Sequence, residues 1–421
     1  MRGRRVVITG LGVVAPNGIG KEAFWQNLIA GKSAVDWITA FDPAASPCKI
    51  AAEVRNFNPA DFISARKAKV MGRFAQFAVA AGRLAIEDAK IAGHRLSRVG
   101  LCQGTSAQGM GDLAEEAHKE FLAGGWSSVH PSVGLEFTAH AGTAHVQAEL
   151  ECSGPTMTIA SACCTGIDAM AWGAQQIQVG EIDAALVVAT EAPISEFILS
   201  LFNAGGYLTT WSGPPSKASR PYDLLRSGFV PSEGGAAVFL ESLEHAMDRG
   251  SSIYAEVLGY ASVSEGGSRR SKNSYAESLR QAILKSLHSP HLTPQDIDYI
   301  CAHGNSIKIE DQAEAAAHRA ALGPYAYRIP ISSIKSMLGQ PFAASGLMQA
   351  TAATMAVHRA MVPPTINYEF ADPECDLDYV PNRARVVRVR HALLHSHSLG
   401  GHLPGSHSAM VIGQFDEPSR P

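Results

Sequence analysis

Charge and aromatic side chains are both scarce in this chain. Asp, Glu, Lys and Arg make up 18% of its 421 residues, Phe, Tyr and Trp 7%, and the formal net charge is −4. No long basic run is present, which argues against nucleic acid or an anionic membrane surface as the main partner. No apolar run reaches the length of a membrane span. The start, Met1-Arg2-Gly3-Arg4-Arg5, passes straight into Val6-Val7-Ile8-Thr9-Gly10, an apolar stretch too short and glycine-rich for a signal peptide. The seven cysteines are odd in number and irregularly spaced, and no CxxC pair occurs. Reduced thiols and a cytoplasmic location are therefore expected.

What is abundant is small and apolar. Hydrophobic residues reach 46% and glycine alone contributes 39. Small residues let helices lie close on sheets, which suits a layered α/β protein. Length by itself predicts two or three domains.

Along the chain, strand and helix patterns alternate. Arg5 to Thr9 reads as a strand and Gly10 to Gly20 as a glycine-rich turn. Gly10-Leu11-Gly12 supplies two glycines of a dinucleotide fingerprint, but the third is misplaced and Pro16-Asn17-Gly18 breaks the helix that should follow. Lys67 to Ala92 reads as one long helix stopped by Gly93. Further on come a strand at Thr156 to Ala160, a helix from Gly166 to Gly180, and strands at Ala184 to Ala189, Gly235 to Leu240 and Tyr254 to Tyr260. The loop Glu265 to Asn273 is a candidate seam. The alternation then resumes through Ser274 to Leu287, Tyr299 to Ala302, Gln312 to Ala321, Ile329 to Ser333 and Gly346 to Met361, with closing strands near Arg385 to Arg390 and Ser408 to Ile412. The two halves share this rhythm without visible sequence identity, which makes an internal duplication plausible.

Four segments carry candidate chemistry. In Thr158-Ile159-Ala160-Ser161-Ala162-Cys163-Cys164-Thr165-Gly166 a thiol sits at a strand-to-helix turn, where the first N–H groups of the helix favour thiolate; two buried structural cysteines would give the same local pattern. In Cys301-Ala302-His303-Gly304-Asn305-Ser306 a histidine ends a buried strand and enters a loop, suited to proton transfer. In Ile331-Ser332-Ser333-Ile334-Lys335-Ser336-Met337-Leu338-Gly339 a lysine lies in an apolar segment, where it needs a partner. His395-Ser396-His397-Ser398-Leu399-Gly400-Gly401-His402, with His407 beyond, is dense in histidine, but it reads as a glycine loop without a carboxylate or cysteine companion, so no metal site is expected.

Together these segments resemble the β-ketoacyl synthases, the condensing enzymes of fatty-acid and polyketide assembly, from Val6-Val7-Ile8-Thr9-Gly10 to Ser408-Ala409-Met410-Val411. The likeness is strongest to ketosynthase subunits of type II polyketide systems, carried also by Glu191-Ala192-Pro193-Ile194, Arg220-Pro221-Tyr222-Asp223, Gly228-Phe229-Val230 and Val362-Pro363-Pro364-Thr365. It implies the thiolase fold: two pseudo-duplicated α/β halves, residues 1–255 and 256–421, in five αβαβα layers, dimerising through the first half. It implies an acyl group taken by Cys163 from acyl carrier protein, with His303 as first catalytic histidine and Lys335 as family lysine. The N–H groups of Cys163 and of the Leu399-Gly400 turn would form an oxyanion hole, Leu399 standing where a phenylalanine gate is usual. Phe202, Asn305 and Ile307 fall at substrate-facing positions, the last two replacing threonines beside the pantetheine arm. Substrates would ride on the phosphopantetheine of the carrier, with no further cofactor, in a homodimer or a heterodimer with a second ketosynthase-like subunit.

The chain departs from the family pattern at the extender half of the reaction. Gln340 stands where a second histidine is usual, and glutamine donates a hydrogen bond but carries no charge. Gln349 replaces a carboxylate, removing one reason for Lys335 to stay charged. Three readings follow: a condensing enzyme in which Gln340 donates to the thioester oxygen, an acyltransferase without condensation, or a chain-length-factor-like partner, against which the retained Cys163 counts.

Overall fold

The computed structural model describes residues 3–91, 98–267, 271–288, 291–398 and 404–416. Ten strands run through one hydrogen-bonded path: β1 (Val6–Ala15), β2 (Gly100–Gly104), β3 (Thr156–Ile159), β4 (Ala184–Glu191), β5 (Gly234–Ser242), β6 (Ala255–Ser264), β7 (Tyr299–Cys301), β8 (Ile331–Ser332), β9 (His391–His397) and β10 (Ser406–Gly413). Their spatial order is β8-β7-β9-β10-β6-β1-β5-β4-β2-β3. Counted outward from the middle, each half repeats the same arrangement: its first strand is central, then its fifth, fourth, second and third. In both, the outer three strands are parallel and the inner pairings antiparallel. The halves join where β1 pairs β6 antiparallel, Val6 opposite Val257. The duplication that residue identity hides is thus plain in the topology.

Five helices matter for the site: α1 (Arg73–Ala89), α2 (Thr165–Gln178), α3 (Lys272–His288), α4 (Lys308–Leu322) and α5 (Ser345–Arg359). Helices α2 and α5 form the middle layer, each packed on its own half and on the other. Helix α1 covers the first half from outside, and α3 and α4 cover the second. The middle layer is close because glycine meets glycine. A Cβ on Gly166 would lie 2.6 Å from Leu347 N, and one on Gly346 2.6 Å from Ile167 N.

Glycine explains the main departure from the sequence reading. Gly10 and Gly12 are not a turn; they lie inside β1, with a register shift between Ile8 and Gly10. Helix α1 passes so near that a Cβ on Gly12 would meet Ala81 O at 2.0 Å and one on Gly10 would meet Ala85 O at 2.3 Å. These glycines exist for helix-on-sheet contact, not for a pyrophosphate. The long helix expected over Lys67 to Ala92 is two: Ala65–Ala68, then α1 from Arg73, ending at Lys90 in the left-handed region (φ +53°) rather than at Gly93. The expected loop of histidines is largely strand β9, because Ala392, Leu393 and Leu394 are fully buried between β7 and β10. The strand near Arg385 to Arg390 shrinks to Arg385–Val386.

Candidate active site

Parallel strand β3 delivers the chain to a tight turn, Ala162–Cys164, that feeds directly into α2. Ala162 takes a positive φ of +52°, a costly backbone for alanine that the surrounding packing must hold. Ser161 stabilises the turn from both ends: its N–H donates to Thr165 Oγ1 at 2.8 Å and its hydroxyl to Asp168 Oδ2 at 2.5 Å. Of the cysteine pair, Cys164 points away, its thiol contacting Ser406 O at 3.4 Å. Burial, and then Asp168, raise its pKa well above the usual thiol range, so it is structural. Cys163 faces the second half and sits in one apolar cluster with Phe202, Phe229, Phe342 and Ile307.

Three segments of the second half come together around Cys163. Gln340 Nε2 donates to Cys163 Sγ at 3.1 Å. Ser396, on β9, donates its hydroxyl to Cys163 O at 2.8 Å and lies 3.0 Å from His303 Nδ1. Lys335 Nζ donates to His303 O at 2.7 Å and stands 3.4 Å from His303 Nδ1. Cys163, His303, Lys335 and Gln340 are therefore one constellation, and both His303 and Lys335 are buried.

The electrostatics follow from that burial. Desolvation drives His303 well below its ordinary range, and His397 and Lys335 add to it, so the imidazole is neutral. Desolvation pushes Lys335 down to about 8, while Cys163 and then Glu314 hold it up. The carboxyl group lost at position 349 thus has a counterpart on α4. Gln349 instead donates to three carbonyl oxygens, of Cys301 (3.0 Å), Ala302 (2.9 Å) and His395 (3.0 Å). Burial raises Glu314 in turn, as does Asp311.

The His303 Nδ1 atom faces two groups, and each ring tautomer finds a partner there. The single hydroxyl hydrogen of Ser396 goes to Cys163 O. Nδ1 then either donates to Ser396 Oγ at 3.0 Å or accepts from the Lys335 ammonium at 3.4 Å, and the second arrangement leaves the proton on Nε2. His303 Nε2 and Gln340 Oε1 are both buried with no protein hydrogen-bond partner. Gln340 thus sets a donor at the sulfur, and His303 Nε2 is a buried ring nitrogen on a residue tied to the Cys163 backbone through Ser396.

The remaining sequence candidates fare differently. Phe202 stacks on Phe342 at 5.0 Å and meets Phe229 edge-on at 5.6 Å. Asn305 is buried, with its Nδ2 donating to Glu310 and its Oδ1 accepting from Ile307 N. Leu399 and Gly400 lie outside the described residues. The family resemblance implies a thiol within reach of a carrier arm. Here Cys163 is 1% exposed, so acylation requires side chains of its cluster to part.

Sequence reasoning missed Ser396 and the acidic face of α4. The spacing Glu310, Glu314, His318 at i, i+4 and i+8 was the available signal, since it puts all three on one helical face. It also corrects the expectation that the histidines lack carboxylate companions: His395 Nε2 lies 3.3 Å from Glu314 Oε1 and His397 Nε2 lies 2.9 Å from Glu310 Oε2. Among the described residues, Glu314, His318 and His395 have donor atoms close enough to share a metal ion. His318 and His395 already meet Nε2 to Nε2 at 2.9 Å, a contact one ring proton satisfies, and the cation Lys335 close to Glu314 opposes a dication there.

Residues 3–246 match the model of the beta-ketoacyl synthase N-terminal domain, and residues 254–369 that of the beta-ketoacyl synthase C-terminal domain. The chain belongs to the β-ketoacyl synthase family. Its members are condensing acyltransferases of the thiolase fold, and this β-ketoacyl synthase is similar over its length to both polyketide and fatty-acid relatives. A putative polyketide beta-ketoacyl synthase 1 of Streptomyces halstedii is 38% identical, the match covering 97% of this chain and 98% of that protein. The 3-oxoacyl-[acyl-carrier-protein] synthase 2 of Coxiella burnetii is 36% identical over 95% and 97%. In structure, the ishigamide ketosynthase/chain length factor superposes with a TM-score of 0.91 at 32% identity, covering 98% of this chain and 100% of that one. No helix of the described residues is long and apolar enough to cross a membrane.

Proposed function

We propose that this β-ketoacyl synthase runs a decarboxylative Claisen condensation in type II polyketide or fatty-acid assembly, with Cys163, His303, Lys335 and Gln340 as its catalytic set. The observation that carries this is Gln340 donating to the Cys163 sulfur, with His303 and the buried Lys335 joined to Cys163 through Ser396. Cys163 thiolate attacks the thioester of an acyl carrier protein, and the carrier thiol leaves with a proton. Malonyl on a second carrier then breaks its C–C bond to release CO₂, while His303 Nε2–H and Gln340 Nε2–H receive the enolate oxygen. The enolate carbon attacks the acyl group, and Cys163 leaves as thiolate beside Lys335. Substrates arrive on phosphopantetheine, in the cytoplasm and without another cofactor. The names of the Coxiella relative and of the ishigamide structure support acyl carrier protein and a second ketosynthase-like chain as partners. Trp126, Leu122 and Leu135, exposed at 84%, 70% and 69%, support a dimer surface on the first half, whose boundary with the second we place at 255/256. Phe202 and Ile307 would line the acyl and arm sites.

Two experiments test the assignment. Gln340→Leu keeps volume and removes the donor, so CO₂ release from malonyl carrier protein is expected to fall at least about tenfold, while the acyl adduct on Cys163 still forms by intact mass. Equal decarboxylation in both proteins would refute a role for Gln340. The second is a pH profile. Lys335 is charged below about pH 8 and loses its proton as the pH rises through that value. The neutral amine keeps two N–H donors but loses the charge that favours the Cys163 thiolate, so condensation is expected to decline above that pH. A flat profile to about pH 9.5 would exclude this role for the ammonium.

A further inference from the structure

Several buried polar groups beside the site have no part in that chemistry. His397, on β9 and 1% exposed, packs its ring on that of His303 with centroids 3.8 Å apart and planes at 51°. Its Nε2 meets Glu310 Oε2 at 2.9 Å and its Nδ1 meets the Tyr275 hydroxyl at 2.5 Å. The same Glu310 oxygen accepts from Asn305 Nδ2 at 2.7 Å. Behind them, Tyr275 stands edge-on to His397 and His407, both at 4.6 Å, and His407 Nε2 meets Glu265 Oε1 at 3.0 Å. His395 and Lys335 also lie close to His303, and Glu314 accepts from the N–H of its neighbour Gly304.

A buried carboxylate and imidazole are expensive, and apolar residues of equal volume would fill the space as well. What this pair adds is connection. One end lies on the face of the His303 ring. The other holds the amide of Asn305, whose Oδ1 in turn accepts from Ile307 N at 3.0 Å. The loop it ties down is strained, with positive φ at Gly304 (+34°) and at Ser306 (+72°), and such a loop persists only where its surroundings fix it.

We propose that His397 and Glu310 form a buried positioning pair that locks the His303 ring and the Asn305 loop into one unit. Resting on the function proposed above, this means that a carrier arm seated against the loop and the imidazole that meets its thioester oxygen keep a fixed relation. Neither residue touches the reacting atoms; both act through His303 and Asn305.

The test uses the full chain as wild type, His397→Phe, Glu310→Gln and the double variant. Steady-state condensation with acyl and malonyl carrier proteins is measured beside the rate at which iodoacetamide alkylates Cys163. Each single variant is expected to lower kcat at least about tenfold, and Glu310→Gln to raise KM for malonyl carrier protein at least about threefold. The double variant should fall within about twofold of the weaker single, as groups acting as a unit do. Alkylation should change at least about fivefold in His397→Phe, because Ser396 links His303 to the Cys163 backbone. Values of kcat, KM and alkylation within about twofold of wild type would overturn the pair, and so would a lower melting temperature with those three unmoved. Losses that multiply in the double variant would overturn the single unit. A wild type that alkylates but never condenses overturns the functional reading alone, and the alkylation arm still decides the pair.

Discussion

Cys163→Ala is expected to carry no acyl adduct after incubation with acyl carrier protein and to lose condensation at least about a thousandfold. The argument is one of position. Cys164 is adjacent in sequence but faces Ser406 on the far side of the turn, and burial holds it as a thiol. It cannot substitute, so intact mass should show no residual adduct. Loss of CO₂ is a separate matter. It needs donors for the enolate oxygen, which His303 and Gln340 still provide, and no sulfur. Malonyl decarboxylation should therefore persist in the variant when condensation is gone. An adduct that survives the substitution would move the nucleophile elsewhere. Decarboxylation that vanishes together with acylation would mean that the sulfur, not the donor pair, organises the extender step.

Gln349→Leu should be the most damaging single change to the fold near the site. The side-chain amide nitrogen is shared by the carbonyls of Cys301, Ala302 and His395, on the two parallel strands that carry His303 and Ser396. Leucine fits the volume and leaves three buried acceptors without that donor. At about 1–3 kcal/mol for each group left unsatisfied, several kcal/mol of stability are at stake, a large share of a protein's total. Chemical denaturation should show a lower midpoint at unchanged slope. Gln349→Glu, which restores a carboxylate, should be no remedy: it offers only acceptors to three acceptors. A leucine variant within about 1 kcal/mol of wild type would show that the carbonyls find other donors.

The residues around the site divide sharply by how they could be read. The strand-to-helix turn at Cys163, the histidine ending a buried strand and the lysine in an apolar segment are local patterns, and each stands where its pattern put it. Gln340 and Gln349 are also visible in sequence, as departures from a family resemblance. Their consequences are not. That Gln340 donates to the sulfur, and that Gln349 serves three carbonyls while Glu314 brings a carboxyl group near Lys335, depend on segments far apart in the chain. The histidines at 395 and 397 were misplaced for a related reason. Glycine just beyond them signals a loop, but packing between β7 and β10 extends the strand through His397, and helix α4 then brings the carboxylates. Gly10 and Gly12 were misread because glycine has the same look whether it frees a turn or clears room for a helix.

By itself the sequence determined what depends on neighbours in the chain: alternating strand and helix, a thiol at a helix start, and a low overall charge. Tertiary structure alone decided which polar groups meet inside. Hydrogen bonds and ion pairs in a dry interior are fixed by contacts between residues tens to hundreds of positions apart, Cys163 with Gln340 and Glu310 with His397 among them, and no local pattern encodes those distances.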